Sequence, residues 1–129
     1  MVRRILSPTG APKPISFYSN GMLVGSVLYS AGQAAINHEG VVIGKGNAYE
    51  QAKMAFSFLA EILKDGGMSF SDVVRLNFFI RSRNDIPSFL KVRDENLKDN
   101  LPALSMVVVE DLAISDFLCE VEFIACRKD

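Results

Sequence analysis

A helical pattern passes directly into a strand pattern in residues 47–81, NAYEQAKMAFSFLAEILKDGGMSFSDVVRLNFFIR, and this stretch sets the expected fold. Asn47 is a good N-cap residue, with Glu50 three residues later in a capping-box-like pair. Apolar residues then recur with helical spacing on one face, namely Ala52, Ala55, Phe56, Leu59, Ile62 and Leu63. Because Gly66 and Gly67 supply a stop, we expect an amphipathic helix that begins near Asn47 and ends before these glycines.

The residues that follow alternate with a period of two, which is typical of a strand covered on one face. In residues 73–81 the two faces carry Val74, Leu76, Phe78 and Ile80 on one side, and Arg75, Asn77, Phe79 and Arg81 on the other. In residues 118–126 they carry Cys119, Val121, Phe123 and Ala125 on one side, and Leu118, Glu120, Glu122, Ile124 and Cys126 on the other. Both segments are therefore predicted strands that bury one face.

Weaker patterns predict the remaining elements. We expect short strands at residues 15–18, 22–25, 27–31, 41–43 and 104–109. A second helix is expected to begin near Asn84 or Asp85 and to end at Pro102. This order of strands, helix, strand, helix and two strands predicts an α+β fold with both helices available for one face of the sheet. The opposite face of the sheet must then be buried by something else, and a second subunit is the simplest candidate.

The chain of 129 residues fits one domain, residues 1–129. Residues 1–14 are rich in Pro, Gly and basic residues, and we expect an irregular N-terminal arm there. The net charge of −1, from 14 Lys+Arg and 15 Asp+Glu, argues against nucleic-acid and membrane partners. Hydrophobic residues make up 49% of the chain although Trp is absent. We therefore expect a partly apolar surface that forms subunit contacts.

Several protein classes are excluded by features that the sequence lacks. No apolar run follows the N-terminal charges, so we expect no signal peptide, and no run is long enough to span a membrane. Cys119 and Cys126 are expected on opposite faces of one strand, where they cannot pair, and free thiols favour a reducing, cytoplasmic setting. With His38 as the single histidine, a histidine-based metal site or a Ser-His-Asp triad lacks its residues. We expect neither a metal nor a cofactor.

Local motifs, taken in chain order, resemble one known family. They are Ser30-Ala31-Gly32-Gln33 at a strand end, Gln51 with the helix to Leu63, Gly66-Gly67, Asp72-Val73-Val74-Arg75, Asn84-Asp85, Pro102-Ala103-Leu104-Ser105, and Cys119-Glu120-Val121-Glu122-Phe123-Ile124-Ala125. Their order and spacing resemble the RidA/YjgF family, also called the YER057c or L-PSP endoribonuclease family. The resemblance extends from about residue 16 to the C-terminus.

This resemblance implies a chorismate-mutase-like α+β fold, with a mixed sheet and two helices on one face. It also implies a homotrimer whose small-molecule sites lie in the clefts between subunits. The activity that it implies is hydrolysis of reactive enamines and imines, such as 2-aminoacrylate, to a keto acid and ammonia. In that chemistry an arginine binds the substrate carboxylate through a bidentate pair, and a glutamate positions the attacking water.

The resemblance also assigns a site, residue by residue. The family's water-positioning glutamate corresponds to Glu120, the predicted catalytic residue, and its cleft tyrosine and glycine correspond to Tyr18 and Gly32. The other predicted substrate-binding positions differ from the family pattern: Ala31 stands for a serine, Leu90 for an asparagine, Leu104 for the carboxylate-binding arginine, and Met106 for a frequent cysteine. The cleft is therefore expected to be more apolar than in its relatives.

The change at Leu104 leads to an expectation about the substrate. Burying a carboxylate against apolar side chains costs several kcal/mol, so we expect poor binding of amino-acid-derived imines unless Arg75, Arg81 or Arg93 replaces the lost arginine from a new position. The first hypothesis is a divergent imine or enamine deaminase, and the second is a non-catalytic trimer that binds a small apolar ligand or a partner. The third, an endoribonuclease, is disfavoured by the absence of a basic stripe and of a histidine base.

Overall fold

The computed structural model describes residues 2–128, which form one six-stranded sheet and two helices. The elements in chain order are β1 (Arg3–Leu6), β2 (Gly21–Val24), β3 (Val27–Ser30), α1 (Ala48–Asp65), β4 (Val73–Ile80), α2 (Ile86–Leu97), β5 (Ala103–Val108) and β6 (Cys119–Cys126). The strand order across the sheet is β1-β2-β3-β6-β4-β5. Only the β4–β5 pair is parallel among these neighbours, so the sheet is mixed and the predicted α+β class is confirmed.

Helix α1 begins and ends as the sequence predicts. The side-chain oxygen of Asn47 accepts a hydrogen bond of 3.0 Å from the backbone N–H of Glu50. At the other end, the backbone N–H of Gly66 donates to the carbonyl oxygens of Ile62 and Leu63 at 3.1 and 3.0 Å. The apolar face of α1 packs on the sheet, and all six residues predicted for it are buried.

Strand β6 lies at the centre of the sheet, between β3 and β4. Its alternation is confirmed, because Cys119, Val121, Phe123 and Ala125 are all buried in the core beneath the helices. Its other side chains, which include Glu120 and Glu122, lie on the face of the sheet that the helices leave uncovered, which we call the helix-free face. The central strand therefore supports the core on one side and presents two carboxylates on the other.

The predicted faces of residues 73–81 are wrong at one position. Val74 is 48% exposed, whereas Val73 is buried in its place. The cause is a register shift between Val73 and Arg75 in the pairing of β4 with β6, which adds one residue at the start of the strand. From Leu76 onward the predicted alternation is confirmed.

The predictions for the N-terminal third need two corrections. Arg3–Leu6 is an edge strand paired with β2, so the predicted irregular arm over residues 1–14 is wrong there; Met1 lies outside the described residues. Only Leu6 of this strand is buried, which is why no alternation signals it. Residues 15–18 form a bend rather than a strand, with the N–H of Tyr18 donating to the carbonyl of Ser16 at 3.0 Å.

Two further boundaries also differ from the predictions. Residues 41–43 contribute a single bridge, between Ile36 and Val42, rather than a strand. Helix α2 has Asp85 as its N-cap and Pro87 in its first turn, as predicted, but it ends at Leu97 and not at Pro102. Lys98 has a φ of 53°, and a left-handed backbone cannot continue the helix.

A buried glutamine on α1 anchors the loop that leads into β6. The Gln51 side chain is 0% exposed. Its amide nitrogen donates to the carbonyl of Asp116 at 3.0 Å, and its amide oxygen accepts from the backbone N–H of Leu118 at 2.8 Å. Both partners lie in the loop between β5 and β6, so this one side chain ties the loop to the helix layer.

Replacing this glutamine tests its anchoring role. We expect Gln51→Leu to lower the free energy of unfolding by about 2 kcal/mol, because two backbone groups of the loop lose their partners. Denaturant unfolding measures the change, with Lys53→Leu on the exposed side of the same helix as the control. An unfolding midpoint equal to that of the control would contradict the role.

Candidate functional site

A small pocket lies between the helix-free face and the segments before β2 and after β3. Its volume is about 270 Å³. Four of the seven predicted site residues line it: Tyr18, Ala31, Gly32 and Glu120. The pocket is lined otherwise mainly by apolar groups, including Ile36, Ile114 and Phe117. A single chain therefore brings the predicted catalytic glutamate together with part of the predicted binding surface.

The chain directly after β3 holds the pocket against β6. Gln33 and Val121 form a two-way bridge, in which the N–H of Gln33 donates to the carbonyl of Val121 at 2.8 Å and the reverse bond measures 3.0 Å. Gly32 lies beside Glu120 so closely that a methyl group at Gly32 would lie 2.6 Å from Oε1 of the glutamate. Glycine at this position therefore gives the Glu120 carboxylate its space.

Two buried polar side chains that the sequence analysis did not assign to the site, those of Asn20 and Gln33, join the walls of the pocket. The Asn20 side chain donates to the carbonyl of Pro12 at 2.9 Å, and its backbone carbonyl accepts from the N–H of Ala31, also at 2.9 Å. The amide nitrogen of Gln33 lies 3.4 Å from Oδ1 of Asn20. These residues are 3% and 5% exposed. Asparagine and glutamine in loops give no periodic signal. Gln33 belongs to the Ser30-Ala31-Gly32-Gln33 motif, but the role of both side chains in the pocket wall is shown by their burial and hydrogen bonds.

The Glu120 carboxyl group is in an unusual electrostatic setting. Partial burial raises the pKa of Glu120 above its ordinary value of 4.5, and the negative charge of Glu122 on the same face of β6 raises it further. Within residues 2–128 no salt bridge involves Glu120. A carboxylate that is partly desolvated and not paired with a cation is a better base than one in water.

The other three predicted site residues lie elsewhere in the chain. Leu104 and Met106 pair with Leu76 and Phe78 of β4, so their side chains lie on the helix-covered face and pack against the core. Leu90 lies on α2, and like these two residues it is absent from the lining of the Glu120 pocket. The predicted site residues therefore fall into two groups in one chain, one at the Glu120 pocket and one on the helix side of the sheet.

The three arginines that could replace the missing one are engaged outside this pocket. Arg75 donates to the hydroxyl of Ser105 at 2.7 Å. Arg81 donates to the carbonyl of Ser115 and pairs with Asp111 at 3.4 Å. Arg93 pairs with the neighbouring Asp94 at 2.7 Å. None of the three lines the Glu120 pocket.

Other kinds of chemistry find little support in the part of the chain that the structure describes. Burial raises the pKa of the Cys119 thiol to about 12, so that thiol stays protonated and is a poor nucleophile. Residues 2–128 hold no group of three or more His, Cys, Asp or Glu side chains placed to bind a metal ion. No helix within the same residues is long and apolar enough to cross a membrane.

Residues 8–127 match the sequence profile of the family described as Endoribonuclease L-PSP. The chain belongs to this family, which is the RidA/YjgF family predicted from its motifs. A Thermotoga maritima protein, solved and described as a candidate endoribonuclease, is 31% identical and superposes with a TM-score of 0.91 over 98% of both chains. The predicted membership and the predicted fold are thus both confirmed.

Curated proteins similar to this chain carry two kinds of name, RutC family protein and 2-iminobutanoate/2-iminopropanoate deaminase. A RutC family protein of Pyrococcus abyssi is 34% identical over 128 residues, which cover 99% of this chain and all of that protein. A 2-iminobutanoate/2-iminopropanoate deaminase of Dermatophagoides farinae is 36% identical over 110 residues, which cover 85% of this chain and 86% of that one. Imine deaminases are therefore among the relatives that match most of the chain.

The electrostatic effect of Glu122 on Glu120 can be measured directly. We expect Glu122→Gln to lower the pKa of Glu120 toward 4.5, because the substitution removes a like charge, while burial continues to hold the pKa above that value. An NMR titration of the carboxyl carbons measures the change, with Glu110→Gln at an exposed site as the control. A Glu120 titration that is the same in both variants would show that Glu122 does not act on it.

Proposed function

We propose that this protein hydrolyses a small imine or enamine to a carbonyl compound and ammonia, with Glu120 as the base that activates water. The observation that supports this proposal is the partly buried Glu120 carboxylate, with raised pKa and without a cationic partner, at the wall of a pocket of about 270 Å³. The deaminase relatives point to the same reaction class. The volume suits a ligand of a few heavy atoms.

The chemistry needs one proton acceptor and a place for water. The Glu120 carboxylate takes a proton from water while the water oxygen bonds to the imine carbon, and the C=N electron pair moves to nitrogen, which receives that proton from Glu120. In the resulting carbinolamine, Glu120 takes the hydroxyl proton and passes it to nitrogen as the C–N bond breaks, so that the carbonyl forms, ammonia leaves and the carboxylate is restored. An apolar wall favours this sequence because it keeps the Glu120 carboxylate poorly solvated and therefore basic.

The structure also supports the predicted trimer as part of this proposal. The helix-free face carries exposed apolar side chains on strands β1, β3 and β5, namely Ile5, Tyr29 and Val107. A neighbouring subunit would remove them from water. Cys119 and Cys126 are free thiols, which fits the cytoplasmic setting that we propose.

A non-catalytic trimer that binds an apolar ligand is the second candidate, favoured by one observation. Leu104 packs against the core at the position where the resemblance expects a carboxylate-binding arginine. An apolar side chain there supplies no charge for substrate binding. The retained Glu120 and Gly32 favour the hydrolytic candidate, because a simple binding pocket has no need for an unpaired, partly buried carboxylate beside an open glycine.

Removing the base tests the proposal. We expect the wild-type protein to accelerate hydrolysis of 2-iminobutanoate, formed in situ from 2-aminobutanoate by an amino acid oxidase, and Glu120→Gln to lower kcat by about 10²–10⁴-fold. Trapping the remaining imine with semicarbazide measures the rate, and Glu110→Gln is the matched control. Wild-type protein that leaves this imine and an uncharged imine at the buffer rate would favour the binding candidate instead.

Displacing the base without removing it is a second test. We expect Gly32→Ala to lower kcat about 100-fold with little change in thermal stability, because the new methyl group pushes the flexible end of Glu120 out of position. The backbone of Gly32 lies outside the left-handed region, so alanine is allowed there. Gly10→Ala is a close control, since its methyl group would meet the end of Glu61, 2.4 Å away, outside the pocket. Equal activity in the two variants would contradict the expected placement.

A further inference from the structure

Lys13 is the one cationic residue that lines the Glu120 pocket. Of all its lining residues only Lys13 and Glu120 are charged at neutral pH. The two do not form a salt bridge within 4.0 Å. Lys13 and Glu120 therefore line the same pocket without forming an ion pair with each other.

The backbone of Lys13 is held in place although its side chain is exposed. Pro12 and Pro14 flank it, so their own φ angles are fixed and the residue before each proline is restricted to extended conformations. Asn20 anchors the segment through its 2.9 Å bond to the carbonyl of Pro12. Because the backbone carbonyl of Asn20 also accepts from the N–H of Ala31, one buried residue joins the segment of Lys13 to the chain that leads to Gly32.

We propose that Lys13 is a specificity-determining residue that binds the carboxylate of a 2-imino acid in the Glu120 pocket. This inference rests on the proposed function. In a 2-imino acid the carboxylate is bonded directly to the imine carbon, so one small molecule places its charge toward the ammonium and its reacting carbon toward the water held by Glu120. A neutral imine has no group for Lys13 to bind.

With Lys13 as the carboxylate-binding residue, the absence of an arginine at position 104 no longer leaves the site without a positive charge. A lysine ammonium acts as a compact point charge, whereas an arginine binds a carboxylate through two parallel hydrogen bonds. Lys13 therefore restores the charge of the site but not the bidentate geometry. The chain then accepts small 2-imino acids, in contrast to the poor binding expected from Leu104 alone.

A comparison of KM for a carboxylate-bearing imine and for an uncharged imine tests the role of Lys13. We expect Lys13→Met, which removes the charge and keeps an unbranched side chain only one atom shorter, to raise KM for 2-iminobutanoate about tenfold or more. We expect the same substitution to leave KM unchanged for an uncharged imine released from an alkylamine by an amine oxidase. Lys53→Met, at an exposed position of α1, is the control for the loss of one surface lysine. Equal changes for the two imines, or no change for either, would overturn the inference.

A binding measurement separates failure of this inference from failure of the proposed function. The probe is 2-oxobutanoate, the stable keto acid that corresponds to the imine, followed by NMR shifts of the Gly32 and Lys13 amides. We expect binding to wild type and to Lys53→Met, with an affinity at least tenfold lower for Lys13→Met. This holds whether or not the protein hydrolyses imines. Wild type that does not bind the probe, or equal binding by all three proteins, would overturn the inference.

Discussion

Strand β6 pairs with β3 on one side and with β4 on the other, and the rest of the structure depends on this double pairing. A strand that is hydrogen-bonded on both sides cannot slip by one residue without exposing its entire buried face. Its register therefore fixes which side chains enter the core and which remain on the helix-free face. Glu120 owes its position to this constraint, since its two chain neighbours, Cys119 and Val121, are both fully buried.

The pocket is built from segments that gain their positions by attachment to β6. The bridge between Gln33 and Val121 holds the chain after β3, and Asn20 connects that chain to the proline segment. On the other side, Gln51 ties the loop before β6 to helix α1. These are hydrogen bonds of buried or partly buried polar groups, which are expensive to leave unmade. A rigid central strand and a few such bonds hold a carboxylate beside an open glycine.

Periodic elements could be predicted from the sequence, and irregular ones could not. The helix at Asn47, the alternation of β6 and the start of α2 follow from local patterns that the structure confirms. The edge strand Arg3–Leu6 buries only one side chain, so its stability comes from pairing with β2, which no local pattern records. The register shift before Arg75 likewise results from pairing between strands, and it reverses the face of Val74.

The sequence by itself determined the α+β fold through its periodicity and the family through the order of its motifs, and the resemblance to that family then pointed to Glu120 and Gly32 as site residues. Only the tertiary structure decided that Lys13 shares a pocket with Glu120, and that Leu104 lies instead against the core. The physical reason is distance along the chain. Whether residues 13 and 120 line the same pocket depends on how loops pack on the sheet, and the faces of β5 depend on its register with β4.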